Sequence, residues 1–157
     1  MATDADRLVH AAAQALQAGD AERARGLCTD ALTQDGAHAQ ALLMLGLIEQ
    51  QQQAPAAAMA WLARAVRAAP ESADAWALQG QVQRVLAQHA EALASYGRAL
   101  ALQPARLDLL FNKGNLLREL ARNEEAIASY DAALAISAAD AVVLNNRAVA
   151  LHALGRY

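Results

Sequence analysis

Residues 73–106, ADAWALQGQVQRVLAQHAEALASYGRALALQPAR, contain the pattern that decides the fold. Alanine is abundant, and it is a strong helix former whose small side chain lets helices approach closely. Gly80 follows Trp76 by four residues, Tyr96 comes later, and Pro104 stands near the end. A small residue at Gly80 would let one helix meet a second at short range, and the proline marks a break after it. The stretch therefore predicts a closely packed pair of helices.

The same pattern recurs along the chain every 34 residues. Columns of identical residues at this interval are Gly46, Gly80 and Gly114; Pro70 and Pro104; Tyr96 and Tyr130; and Ala31, Ala65, Ala99 and Ala133. No insertion or deletion is needed to keep these columns in phase. A fixed period of this length indicates a repeat architecture in which each unit stacks on the next.

The 34-residue period, the Trp four places before Gly, the later Ala and Tyr, and the closing Pro resemble the tetratricopeptide repeat. The resemblance covers nearly the whole chain. It implies an all-α fold, a right-handed superhelical solenoid of antiparallel helix pairs. We expect a single array over residues 1–157, divided into repeats 5–38, 39–72, 73–106 and 107–140, with a half-repeat or capping helix at 141–157.

The last segment has the pattern of a first helix without a second helix after it. Leu144, Ala148 and Leu151 hold positions that normally pack against such a partner. We therefore expect the chain to be a fragment of a longer protein. The alternative is a short native protein that uses the half-repeat as its cap.

Charge and hydropathy exclude several classes of protein. The net charge is −3 and the pI about 5.7, so the broad basic surface of a nucleic-acid binder is missing. The most apolar segment, residues 37–48, is shorter than the roughly 20 residues of a membrane-spanning helix. No signal-peptide core follows the acidic first residues. We expect a cytoplasmic protein that binds neither nucleic acid nor membrane.

No set of residues predicts catalysis. The four histidines lack a paired spacing suited to zinc, and no glycine-rich phosphate loop is present. Cys28 is the single cysteine, is predicted to be buried, and has no neighbouring base in sequence. We expect no enzymatic activity, no metal and no cofactor.

The resemblance implies that the first helix of each pair lines a concave groove, with exposed residues around the glycine position. The predicted groove residues are Leu43, Met44, Leu47, Ala77, Gln81, Arg84, Phe111, Asn112, Asn115, Arg118, Asn145 and Asn146. Their character changes from apolar in the first half to polar towards the end. The predicted function is protein–protein interaction, with a peptide or helix bound in this groove.

Three details refine that prediction. An exposed apolar stripe could be formed by Val9, Leu43, Met44 and Leu47, unless neighbouring helices cover them. Asn112 and Asn146 resemble the start of an asparagine ladder that would bond a peptide backbone, as in O-linked N-acetylglucosamine transferases. One repeat apart, Arg84 and Arg118 could hold an anion or form surface salt bridges.

Two alternative functions stay open. The last third of the chain is similar to repeats of glycosyltransferase-like and sulfotransferase-like bacterial proteins, so the array could be the substrate-recruiting arm of an enzyme. It could also be a self-associating scaffold, joined through the apolar groove or the open C-terminal end. Members of the family that clamp chaperone C-termini present Lys and Asn where this chain has Val9 and Ala13, which argues against that role.

Overall fold

The computed structural model describes residues 3–156, which form nine α-helices and no β-strand. In chain order these are α1 (Asp4–Gln17), α2 (Ala21–Gln34), α3 (Ala39–Gln51), α4 (Pro55–Ala68), α5 (Ala73–Val85), α6 (His89–Leu102), α7 (Leu107–Glu119), α8 (Asn123–Ile136) and α9 (Ala141–Ala153). Three residues join α1 to α2, α3 to α4, α5 to α6 and α7 to α8, so the helices of each pair run antiparallel. None of the helices in the described range is long and apolar enough to cross a membrane.

The turn inside each pair has the same backbone conformation. Its middle residue is left-handed, with φ of 80° at Gly19, 59° at Gln53, 57° at Ala87 and 58° at Ala121. In each case the next residue donates its N–H to the carbonyl five residues earlier, as Arg122 does to Leu117 at 2.9 Å. This is the Schellman motif, in which a left-handed residue ends a helix and satisfies its last carbonyl groups.

Two helix starts carry residues that favour them. Pro55 is the first residue of α4, where its missing N–H has no carbonyl to bond within the helix. Asp140 caps α9, because its Oδ1 accepts the N–H groups of Val142 at 3.0 Å and Val143 at 3.1 Å. Both residues suit the helix starts that they occupy.

The glycine positions are where the two helices of a pair meet. A Cβ added to Gly80 would lie 2.8 Å from the ring of Tyr96, and one added to Gly114 would lie 2.6 Å from the ring of Tyr130. Both tyrosine side chains are fully buried. The predicted role of these glycines in close helix approach is confirmed.

The first helices of successive pairs form one layer. α1 contacts α3, α3 contacts α5 and α7 contacts α9, whereas the second helices make no comparable contacts with one another in the described range. The layer of first helices is therefore the inner, concave side of the stack. Its outward-facing side chains form the surface considered next.

Candidate functional site

Two adjoining clefts lie on the concave side. The apolar cleft, between α3 and α5, has a volume of about 290 Å³. It is lined by half-buried Leu43, Leu47 and Leu78. At its rim Arg106 donates a hydrogen bond of 2.8 Å to Asp74, forming an ion pair. The cleft thus combines an apolar lining with a charged edge.

The polar cleft continues from it across α5 and α7 and encloses about 580 Å³. Gln81 lines both clefts, and the Nε2 of Gln50 donates to its Oε1 at 3.4 Å. The guanidinium of Arg84 donates to Glu119 from Nη2 at 3.0 Å and from Nε at 3.3 Å. Asn112 lines the same cleft. The leucine-lined apolar cleft is therefore adjoined by a cleft that presents amide groups and one ion pair.

Beyond the polar cleft, asparagine side chains bond to one another. Asn115 Oδ1 accepts hydrogen bonds from the Tyr130 hydroxyl at 2.8 Å and from Asn146 Nδ2 at 2.9 Å. The ring of Phe111 packs against Tyr130, with centroids 6.3 Å apart. Asn146 therefore uses its amide within the fold, whereas Asn112 faces the polar cleft. The predicted ladder required Asn112 and Asn146 to be equivalent. They are not, because Asn146 bonds to Asn115, which lies at a different helical position of the preceding repeat.

The predicted exposure of the apolar stripe was wrong at several positions. Val9 is 7% exposed and Met44 5%, and both belong to one core cluster between α1 and α3. Ala77, another predicted groove residue, is 4% exposed and packs in a cluster with Leu109 of α7. Adjacent first helices approach closely enough to cover side chains that point between them. Met44 and Ala77 form the floor of the apolar cleft, and only Leu43 and Leu47 remain partly open.

The remaining predicted residues lie apart from the clefts. Asn145 is exposed on α9, and Arg118 is half-buried, with its Nε unbonded among the described residues. Because Arg84 already pairs with Glu119, the salt-bridge interpretation holds for Arg84, and the two arginines do not form one anion site. Glu119 was missed from the sequence. Its only signal is its place 35 residues after Arg84, one more than a repeat.

Potential metal ligands within residues 3–156 are not grouped. In that range no three His, Cys, Asp or Glu side chains are placed to hold a metal ion. Burial raises the pKa of the Cys28 thiol to about 11, so the thiol stays protonated at neutral pH. The clefts offer hydrogen bonding, charge and apolar surface.

Comparison with known proteins identifies the architecture. Two models of the tetratricopeptide repeat match the chain, one over residues 15–82 and the other over residues 114–155, which together span well over half of its length. The chain belongs to the tetratricopeptide-repeat family. A tetratricopeptide-repeat array is a protein-interaction module, which confirms the predicted class of function. No curated protein sequence matches the chain.

Solved structures confirm the fold of this tetratricopeptide-repeat protein. A crystal structure of a protein named MamA superposes with a TM-score of 0.88 at 20% identity, covering 96% of this chain and 82% of MamA. YrrB, described as a TPR protein with an unusual peptide-binding site, gives a TM-score of 0.87 at 24% identity and covers 98% and 79%. A tetratricopeptide-repeat protein from Parabacteroides merdae gives 0.85 at 18%, covering 96% and 60%. These matches confirm the all-α solenoid of helix pairs, and nothing among them supports the glycosyltransferase-arm alternative.

Proposed function

We propose that this tetratricopeptide-repeat protein is a cytoplasmic interaction module that binds an extended segment of a partner protein in its two concave clefts. The observation that carries the proposal is their continuity through Gln81. A bound segment can place an apolar side chain among the leucines and keep its backbone over the amides that follow.

The apolar cleft supplies the anchor. Leu43, Leu47 and Leu78 present partly exposed surface around a floor made by Met44 and Ala77. Burying one large apolar side chain there contributes about 1.5–3 kcal/mol. A charged side chain is disfavoured at the same place, because the apolar lining would desolvate it.

The polar cleft supplies orientation. The amides of Gln50, Gln81 and Asn112 each contain a donor and an acceptor, which suits the alternating N–H and C=O groups of an extended backbone. Arg84 and Glu119 are 38% and 41% exposed in their side chains and present both signs of charge to the bound segment. Exposed pairs of this kind favour one partner over another more than they add affinity.

Peptide selection followed by mutation tests this proposal. A peptide selected from a random display library against the full chain is measured against wild type, Leu47→Asp and Gln81→Ala. Leu47→Asp removes the anchor and is expected to weaken binding at least tenfold, which corresponds to about 1.4 kcal/mol. Ile136→Asp is the matched control, because Ile136 is 46% exposed on α8 and lines neither cleft. Equal affinity of wild type and Leu47→Asp for every selected peptide would refute the concave site.

Self-association is a second candidate, favoured by one observation. The side chains of Val142, Leu144 and Val149 on α9 are 61%, 44% and 45% exposed, which is unusual for large apolar residues on one helix. We propose that α9 contacts a second copy through these exposed residues at high concentration. Light scattering over a concentration series is expected to show a mass increase that Leu144→Lys abolishes. A constant monomer mass for wild type would exclude this candidate and leave the peptide site untouched.

A further inference from the structure

A third cavity lies on the other side of α5 from the concave clefts. It encloses about 440 Å³ between α4, α5 and α6 and shares no lining residue with either cleft. We call it the outer pocket and define it by Trp76, Gln79 and Gln83 of α5, Ser95 and Arg98 of α6, and Arg67 of α4. At 3.6 residues per turn, Gln79 and Gln83 point away from Gln81 and Arg84. The outer pocket is therefore independent of the proposed peptide site.

Buried amides line the outer pocket. Gln79 is 6% exposed and Gln83 8%, although glutamine is seldom buried. The Ser95 hydroxyl donates to Gln83 Oε1 at 2.6 Å, which leaves the Nε2 donors of Gln83 available. The amide of Gln79 has no hydrogen-bond partner within residues 3–156. The unbonded amide atoms of both glutamines are open to the pocket, so their donors are available to a ligand.

Two arginines without an ion-pair partner line the same cavity. Arg67 and Arg98 form no ion pair with the described part of the chain, whereas Arg84 and Arg106 are both paired. The Cζ of Arg98 lies 5.7 Å from the centroid of the Trp76 ring. Glu91 also lines the outer pocket, so one carboxylate faces two guanidinium groups. The local charge is positive in a protein whose net charge is −3.

The tryptophan forms a fixed wall. Its Nε1–H donates to the carbonyl of Pro70 at 2.9 Å, which holds the ring in one orientation. Val66, Ala63 and Ala94 add apolar surface around it. A ligand here can therefore pack a hydrocarbon part against Trp76 while its polar end meets the amides.

The next repeat shows that the fold does not require this chemistry. One period later the same positions hold Leu110, Leu117 and Ala132 in place of Trp76, Gln83 and Arg98. The serine equivalent to Ser95 is Ser129, and its hydroxyl bonds the backbone carbonyl of its own helix at Glu125. Since Leu117 and Ala132 serve the solenoid there, Gln83 and Arg98 are not needed for stacking, while Lys113 holds the position of Gln79.

We propose that the outer pocket binds a carboxylate carried on an apolar stem. The amides of Gln79 and Gln83 and the guanidinium of Arg98 are donors, and a planar carboxylate accepts from such groups in pairs. Glu91 disfavours a doubly charged phosphate, because it adds repulsion without adding a donor. The carboxylate belongs either to an acidic side chain of a partner protein or to a free small molecule.

Titration of the ¹⁵N-labelled full chain with propionate tests the proposal by NMR. Propionate is expected to shift the side-chain amide signals of Gln79 and Gln83 and the indole signal of Trp76, and propionamide is expected to leave them in place. Gln83→Leu and Arg98→Ala copy the residues found one repeat later, so both variants are compatible with the fold. Each is expected to weaken propionate binding at least fivefold. Lys113→Ala, in the equivalent cavity of the next repeat, is the control and is expected to bind as wild type does.

Two peptides distinguish the sources of the carboxylate. The first peptide is acetyl-Ala-Glu-Ala-amide, and the second has Gln in place of Glu. If the first binds more than tenfold tighter than propionate and the second causes no shifts, the outer pocket is assigned to an acidic side chain of a partner protein. Equal affinity of peptide and propionate assigns it to free small carboxylates. Shifts that are the same with propionamide, or unchanged affinity in both Gln83→Leu and Arg98→Ala, would overturn the proposal. Leu47→Asp is expected to bind propionate normally, so failure at the concave clefts is separable from failure here.

Discussion

Asn146 donates a hydrogen bond of 2.9 Å from its side-chain amide to Asn115, and this bond ties α9 to α7. The same oxygen of Asn115 accepts the hydroxyl of Tyr130, which comes from α8. One amide oxygen therefore joins three successive helices at the end of the described array. Such shared acceptors couple the stabilities of neighbouring helices.

We expect Asn115→Ala to destabilise the protein more than Asn146→Ala. The first change leaves the buried Tyr130 hydroxyl without its acceptor and costs about 1–3 kcal/mol, whereas the second removes one bond and costs about 1 kcal/mol. Because both bonds pass through Asn115, the double variant is expected to be little worse than Asn115→Ala alone. Urea unfolding followed by circular dichroism measures all three, and strictly additive losses would contradict the shared acceptor.

Gly114→Ala tests the close approach of α7 and α8. The added Cβ would lie 2.6 Å from Tyr130 Cε1, and the ring is held by its bond to Asn115. Overpacking of this kind costs about 1–3 kcal/mol in unfolding free energy. Gly97→Ala is the matched control, since a Cβ there meets nothing within 4 Å inside α6 and is expected to stabilise by about 0.5–1 kcal/mol. Equal effects of the two changes in a thermal melt would rule out the packing argument.

Ala121→Gly is expected to stabilise the turn between α7 and α8. Ala121 has φ of 58°, a left-handed conformation that costs an L-residue about 1–2 kcal/mol and glycine nothing. Part of the gain is offset by the larger freedom of glycine in the unfolded chain, about 0.4–1 kcal/mol. Gly19 already holds the equivalent position in the first repeat. The measurement is the urea midpoint, and a lower midpoint than wild type would show that the turn is unstrained.

Cys28 makes stability fall at high pH. Its folded pKa is about 11 because burial disfavours the thiolate, while the ordinary value is 9.0. The contribution is fully present below pH 9 and is lost as the pH rises towards 11, because the unfolded chain ionises first. The full loss is about 2–3 kcal/mol. Unfolding free energies at pH 8 and pH 10.5 are expected to differ less in Cys28→Ala than in wild type, with the tyrosines contributing equally to both.

Local features of this fold were predictable because each repeat carries its own signals. Several of these features depend only on residues a few places apart in sequence. They are the glycine positions, the helix break around Gly19, Pro55 at the start of α4 and the Asp140 cap. Backbone conformation and capping act over that range, so features of this kind can be predicted from the pattern alone. The repeat also identified the family, since a 34-residue period leaves few other architectures.

By itself the sequence determined that the chain folds as stacked helix pairs and which helices form the concave side. Only the tertiary structure decided which side chains that side exposes. Adjacent first helices pack so closely that they cover Met44 and Ala77, whereas Leu47 stays partly exposed. It also decided the polar partners. Arg84 meets Glu119, and Gln83 meets Ser95, through helices whose relative positions no local pattern specifies. Long side chains bond according to the angle and spacing of packed helices, and those are properties of the assembled stack.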